Sequence, residues 1–357
     1  LGLTLPQILQ AEAADKAPPK REKSCILIFC SGGPSQLDTF DLKPDAPADI
    51  RGVFRPIRTA VPGMEICELL PKLAKQAKDF SLIRTVSHTD GLHPSATYWA
   101  LTGHKPPKST LNITPTPSHH PALGSVLSQF RPAPETLPSY VLAPQLCYDV
   151  GNIQPGQHAG FIGGSHDPFL VEGDPSQKEF KIKNLTLNDS INMNRLHGRM
   201  SLRSSLEERL AKLGESIQSK TLNAFHEQAY HLLSSDKAKQ AFDLNLEPDR
   251  SRDRYGRNRY GQSYLLARRL VESGVRTVMI NDNIGINNDR WDTHSNNYGT
   301  LKKNLPETDS ALSSLLIDLR ERGLLDTTLV IWMGEMGRSP TNDHRDHWPQ
   351  CYSVLMA

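Results

Sequence analysis

Four segments of this chain carry acidic residues, histidines and hydroxyls at the density that metal or acid–base chemistry requires. SGGPSQLDTFD holds Ser31, Ser35, Asp38 and Asp41, and SHTDGLHPSAT holds His88, Asp90, His93, Ser95 and Thr97. NDNIGINNDRWDTHSNN holds Asp282, Asp289, Asp292 and His294, and GEMGRSPTNDHRDHW holds Glu335, Arg338, His344, Asp346 and His347. Carboxylates and imidazoles brought together from separate segments can hold a divalent cation. Mixed nitrogen and oxygen ligands suit zinc, and oxygen alone suits magnesium, calcium or manganese. Taken singly, each residue has a plainer reading. An Asp after a strand forms a turn or caps a helix, His344 and His347 are solvated loop residues, Trp291 is a packing anchor, and Ser95 is a helix cap.

Each segment follows an apolar run that reads as a strand, at 24–30, 81–86, 275–281 and 328–334. SCILIFC is apolar throughout, as expected of a strand covered on both faces. ELLPKLAKQAKDF (68–80) reads as an amphipathic helix, and HPSATYWALTGH (93–104) as a helix opened by His93-Pro94 and stopped at Gly103. Residues 261–273 and 307–322 read as helices ended by Gly274 and Gly323. Strands alternating with helices imply an α/β fold, a mostly parallel sheet with helices on both faces. Such sheets bind ligands beyond the carboxyl ends of their strands, which is where all four segments fall. Residues 105–200, rich in Pro, Gly, Ser and His, read as an elaborated excursion with short extended pieces at 139–143 and 180–185. The chain then turns helical over 201–242: Leu202, Leu206, Leu210, Leu213 and Ile217 mark one apolar stripe, and a second helix covers 222–242.

Composition narrows the partners. The chain has 357 residues, 37% hydrophobic and 22% charged, with 41 basic against 39 acidic side chains. A net charge of +2 points to neither nucleic acid nor an acidic membrane surface. No apolar run approaches the ~20 residues of a membrane span. Five scattered cysteines (Cys25, Cys30, Cys67, Cys147, Cys351) without a CxxC pair argue against a zinc ribbon and for buried free thiols. LGLTLPQILQAEAADKAPPK resembles the end of an export signal, an apolar stretch and small residues before a linker, so residues 1–20 are set apart from a single α/β domain at 21–357. The far end stops inside the apolar CYSVLMA, a strand without its following loop, which suggests a missing C-terminal portion.

GGPSQLDTFDLKPDAPADIRGVFRPI, HPSATYWALTGH, DRYGRNRYGQSYLLARRLVESGVR, WDTHSNN and VIWMGEMGRSP with RDHWPQCYSVLMA resemble the bacterial family called only domain of unknown function 1501 (DUF1501), over nearly the whole chain. That family resembles the alkaline-phosphatase and sulfatase superfamily in its three-layer fold and is commonly exported by the twin-arginine route. The resemblance implies a periplasmic or extracellular protein.

It also implies roles. Asp38 stands where the superfamily keeps a metal-binding aspartate, and Asp292 with His294 resembles the carboxylate–histidine pair of one metal. Glu335 falls where Asp-His is usual, and His347 resembles a late histidine ligand. His93 occupies the nucleophile's place, with Ser95 and Thr97 nearby, and Met336 replaces the second metal's histidine. On this reading Asp292, His294 and His347 form the tighter metal site and Asp38 and Glu335 a weaker one. Arg338 grips the anionic group, and Ser95 or Thr97 attacks. The expected function is a metal-dependent hydrolase of phosphate or sulfate esters, on a small-molecule or glycan substrate. The alternative is a non-catalytic protein of the same fold that binds sulfated or phosphorylated glycans.

Overall fold

The structure is a computed structural model that describes residues 22–357 apart from 181, 183–193, 196–197, 203–204, 206–229, 284 and 288. Its sheet has seven strands: β1 (Ser24–Phe29), β2 (Ser81–Val86), β3 (Tyr140–Ala143), β4 (Phe169–Leu170), β5 (Thr277–Asn281), β6 (Thr328–Met333) and β7 (Tyr352–Met356). They lie in the order β2-β7-β6-β1-β5-β3-β4, with β7 antiparallel to both neighbours and the remaining pairs parallel.

The continuous apolar run of β1 has a direct cause. Side chains of a strand alternate faces. Ile26 and Ile28 enter one core with Val278, Ile280, Val330 and Trp332, while Leu27 and Phe29 enter another with Tyr140, Leu142 and Met279. Helices cover both. Leu101 of α1 (His93–Thr102) belongs to the second core, and α2 (Leu123–Phe130) packs on β3 and β5. The helices α3 (Arg259–Ser273) and α4 (Asn297–Glu321) pack on each other and fill the first core through Leu265, Leu266, Leu312, Leu315 and Leu316. The architecture is α/β in three layers.

Several sequence readings need correction. Residues 68–80 are not one helix but a turn of helix at Pro71–Ala74 and a 3-10 turn at Ala77–Asp79. Their apolar spacing is nonetheless used, because Leu70, Leu73, Ala74 and Ala77 are all buried. Asp309 of α4 caps the short helix, accepting from the N–H groups of Lys72 (3.0 Å) and Leu73 (2.7 Å). The helix expected at 307–322 starts ten residues earlier, with Pro306 inside it and Asn296 capping Gly299 N at 3.1 Å. Within 222–242 the described part breaks at Ser235, whose hydroxyl caps the helix Asp236–Phe242. The 105–200 stretch supplies β3 and β4 to the main sheet. Residues 1–20, the apolar stripe from Leu206 to Ile217 and most of 180–185 lie outside the described residues.

Cys25, Cys30, Cys67 and Cys147 are buried free thiols, and Cys351 is a partly exposed one. Among the described residues no helix is long and apolar enough to cross a membrane.

Candidate metal centre

Two loops at the carboxyl ends of strands and one small ribbon bring His93, Asp292, His294 and His347 together, with their ligand atoms all within 4.8 Å of one another. His93 is the first residue of α1, where Pro94 fits because the opening turn has no use for its missing N–H. Asp292 and His294 follow β5 on a loop pinned by Trp291. That indole is fully buried, donates to the Asp282 carbonyl at 2.8 Å and meets Trp332 edge-on at 5.7 Å. Behind it, buried Arg290 lies against Asp282 (3.5 Å) and Glu307 (2.8 Å). His347 belongs to a two-stranded ribbon in which it pairs with Arg338.

The rings are aimed from behind. His93 Nδ1 donates to Glu335 Oε1 at 2.6 Å, and His347 Nδ1 donates to the Gly91 carbonyl at 2.7 Å. Both acceptors lack hydrogens, so each ring's Nδ1 carries the proton and its Nε2 turns toward Asp292. Glu335 is fully buried and is itself held by Gly32 N at 2.8 and 3.1 Å. That turn is tight: Gly33 has φ +77°, and a Cβ there would lie 2.9 Å from Met336. Met336 therefore packs against the turn, fully buried.

On the inner side, His93 Nε2 lies 3.2 Å from Asp292 Oδ2 yet makes no hydrogen bond, although the residue is only 4% exposed. Asp292 Oδ1 accepts from Arg338 (2.6 Å) and lies 3.0 Å from His294 Nε2 and 3.3 Å from His347 Nε2. The Nε2 atoms of His294 and His347 are 2.8 Å apart.

Burial opposes charge on Asp292, but His347, His93 and Arg338 outweigh it and hold the carboxyl well below the usual range. Burial likewise opposes a charged ring at His93, but Asp292 and Glu335 on its two sides push its pKa up to about 10. A cation arriving there displaces that proton. Burial holds the His294 pKa down. A buried imidazole nitrogen 3.2 Å from an ionised carboxylate, with two more imidazoles beside it, fits a divalent cation with mixed nitrogen and oxygen preference.

The other expected site residues go elsewhere. Asp38 is fully buried, with Oδ2 accepting from Asn297 Nδ2 and paired with His344 Nδ1, both at 2.8 Å. The far nitrogen of His344 faces the Ile50 carbonyl at 3.0 Å. Asp38 and Glu335 have no partner in common among the described residues, and neither belongs to the four-residue cluster. Ser95 is buried, and its hydroxyl exchanges hydrogen bonds with the backbone of Thr110 at 3.0 and 3.2 Å. Thr97 is fully buried within α1. Arg338 is occupied by the protein's own oxygens. It is fully buried and donates to the carbonyls of Gly32, Gly33, Trp291 and Arg345 as well as to Asp292.

The loop that carries the ribbon round to His347 is strained. Asn342, Asp343 and His344 all have φ near +55°. Asn, Asp and His tolerate this left-handed region better than most residues, which is why TNDH can turn there. Asp343 is well exposed, and its contact with Arg345 at 4.0 Å is too long and solvated to matter. Asp343→Gly is therefore expected to stabilise the protein by about 1 kcal/mol. Thermal melts of the two proteins check this, and a lower midpoint in the variant would contradict it.

No functionally curated protein matches the chain. Among solved structures it is similar to alkaline phosphatase from the Antarctic bacterium TAB5, at 12% identity over 95% of this chain and 92% of that one, with a TM-score of 0.41. It is also similar to the lipoteichoic acid synthase LtaP from Listeria monocytogenes, at 10% identity over 94% of this chain and 64% of that one, with a TM-score of 0.35. The family described as protein of unknown function (DUF1501) matches residues 22–357, so the chain that builds this cluster belongs to the DUF1501 family.

Proposed function

We propose that the chain is a metal-dependent hydrolase of phosphate or sulfate esters, acting outside the cytoplasm. The observation that carries the reading is the meeting of three imidazoles and one carboxylate, with His294 about half exposed and His347 and Asp292 partly so. Three nitrogens and one oxygen suit zinc or a similar borderline cation. Bound there, such a cation supplies Lewis-acid polarisation of an ester oxygen.

The chain's own residues prepare the site. Glu335 and the Gly91 carbonyl orient His93 and His347, and Arg338 keeps Asp292 ionised and in place. With Ser95 engaged by backbone and Thr97 buried, the attacking group is water. Its oxygen bonds to phosphorus or sulfur, the ester bond to the organic oxygen breaks, and that oxygen leaves with a proton from the water. Export rests on the leader-like order of residues 1–20.

The commitment of Ser95 and Arg338 to backbone favours a second reading, a non-catalytic protein that binds sulfated or phosphorylated glycans. Elemental analysis after dialysis, with turnover of aryl phosphate and aryl sulfate esters, separates the two. The hydrolase reading expects a stoichiometric cation, and turnover that chelation abolishes and metal restores. A stoichiometric cation without turnover selects the binding protein. Equal, sub-stoichiometric metal in wild type and His294→Ala removes the metal reading.

A further inference from the structure

Two short strands, Tyr148–Asp149 and Asn152–Ile153, pair antiparallel and are turned by Val150 and Gly151. Two-residue hairpin turns of this kind need positive φ at both central positions, which Asn-Gly or Gly-Gly supplies. Here the first position is Val150, at φ +45°, followed by Gly151 at +79°. A β-branched residue in the left-handed region is a steric outlier. Core packing does not account for it, because Val150 is 76% exposed. Strain kept at a solvent-facing position is commonly functional.

The hairpin tip is bonded to the loop that supplies two residues of the candidate metal centre. Gly151 N donates to the Ile286 carbonyl at 2.9 Å, and Ile286 lies on the loop that ends in Asp292 and His294. Gln154 at the hairpin's base donates to Ser31 Oγ at 3.3 Å, next to the Gly32 amide that holds Glu335. The Asp149 carboxyl, beside Val150, feels the charges of His93, Asp292 and His347. Ile286 is 61% exposed. Two large aliphatic side chains thus stand in solvent on segments joined by one backbone hydrogen bond, Ile286 on the loop that supplies Asp292 and His294.

We propose that Val150 and Ile286 form an apolar lip that receives the organic group of the ester, so that the substrates are phosphate or sulfate esters of aryl or alkyl alcohols rather than of sugars. The inference rests on the hydrolase reading for its chemistry. Apolar surface removed from water at the lip supplies the discrimination. The lip touches only the group that leaves as the neutral alcohol.

Binding without turnover tests it. The metal-loaded full chain is titrated with phenylphosphonate and with methylphosphonate, which share the anion and differ in the apolar group. Phenylphosphonate is expected to bind about tenfold more tightly. Most of that preference is lost in Val150→Gly, whose melting temperature does not fall because glycine accepts the turn without strain. Ile286→Ser, which leaves the hairpin intact, shows the same loss. Equal affinities in wild type, no binding of either anion, or a preference that survives both variants overturns the lip. Selective binding of phenylphosphonate with no hydrolysis of any ester overturns the hydrolase reading alone.

Discussion

His93→Ala is expected to lose its divalent cation and about 3–5 kcal/mol of stability together. The substitution removes one of the four converging ligands. It also strips Glu335, fully buried, of the ring to which it is bonded at 2.6 Å and leaves a side chain held, among the described residues, only by Gly32 N. A buried charge that loses its partner costs far more than the pair contributed. His294→Ala supplies the contrast. Its side chain is 49% exposed, so truncation should also empty the site while leaving the stability of the metal-free protein within about 0.5 kcal/mol of metal-free wild type. Elemental analysis and denaturant unfolding of both variants decide the matter. If His93→Ala is as stable as His294→Ala, the buried His93–Glu335 pair does not fasten α1 to β6. If either variant keeps a full complement of metal, that histidine is not a ligand.

Arg338→Ala should cost about 4 kcal/mol or more and release Asp292 from its position. Four carbonyl oxygens from three loops and one carboxylate converge on this guanidinium, and all are left without their donor when it is removed. Lysine is a poor substitute, because an ammonium has three donors on a point charge and cannot span a planar fan of five acceptors. Arg338→Lys should therefore also unfold at clearly lower denaturant than wild type. The measurement is made without metal or substrate. An anion-gripping arginine would leave that stability unchanged and alter only substrate binding, so unaltered unfolding midpoints would restore the anion-grip reading.

The two roles differ in how far a sequence can reveal them. Strands such as 24–29 and 328–333 are legible because a short apolar run bounded by Gly or Pro fits little besides a buried strand. Helix 93–102 is legible from Pro94 at its start and Gly103 at its end. The place of β3 in the sheet is not, since four residues in a Pro-rich stretch carry no periodicity. The first turns of α4 escape a sequence reading because Asn297–Asn304 offers only Tyr298 and Leu301 as apolar positions, and Pro306 looks like a boundary.

Within the site, Asp292, His294 and His347 can be singled out because each follows a strand. His93 reads as standing in a nucleophile's place, and only its bond to a glutamate 242 positions away reveals what its ring faces. The surroundings of Arg338 are hidden for a related reason. An arginine beyond a strand end reads as a grip for an anionic group, and its burial depends on acceptors from segments far apart in the chain.

The position of β7 bears on how the protein comes to exist at all. Among the described residues β2 touches the sheet only through β7, with Val86 opposite Tyr352 and Ser81 opposite Met356. Residues 81–86 therefore have no sheet partner until residues 352–356 have been synthesised. At ~5–20 residues per second, that wait is on the order of tens of seconds. Throughout it the nascent chain carries an unpaired strand edge, the kind of surface through which chains aggregate. The metal centre shares the delay, since His93 follows β2 and His347 precedes β7. A nascent chain that has not reached residue 347 thus has neither a partner for β2 nor all four residues of the cluster.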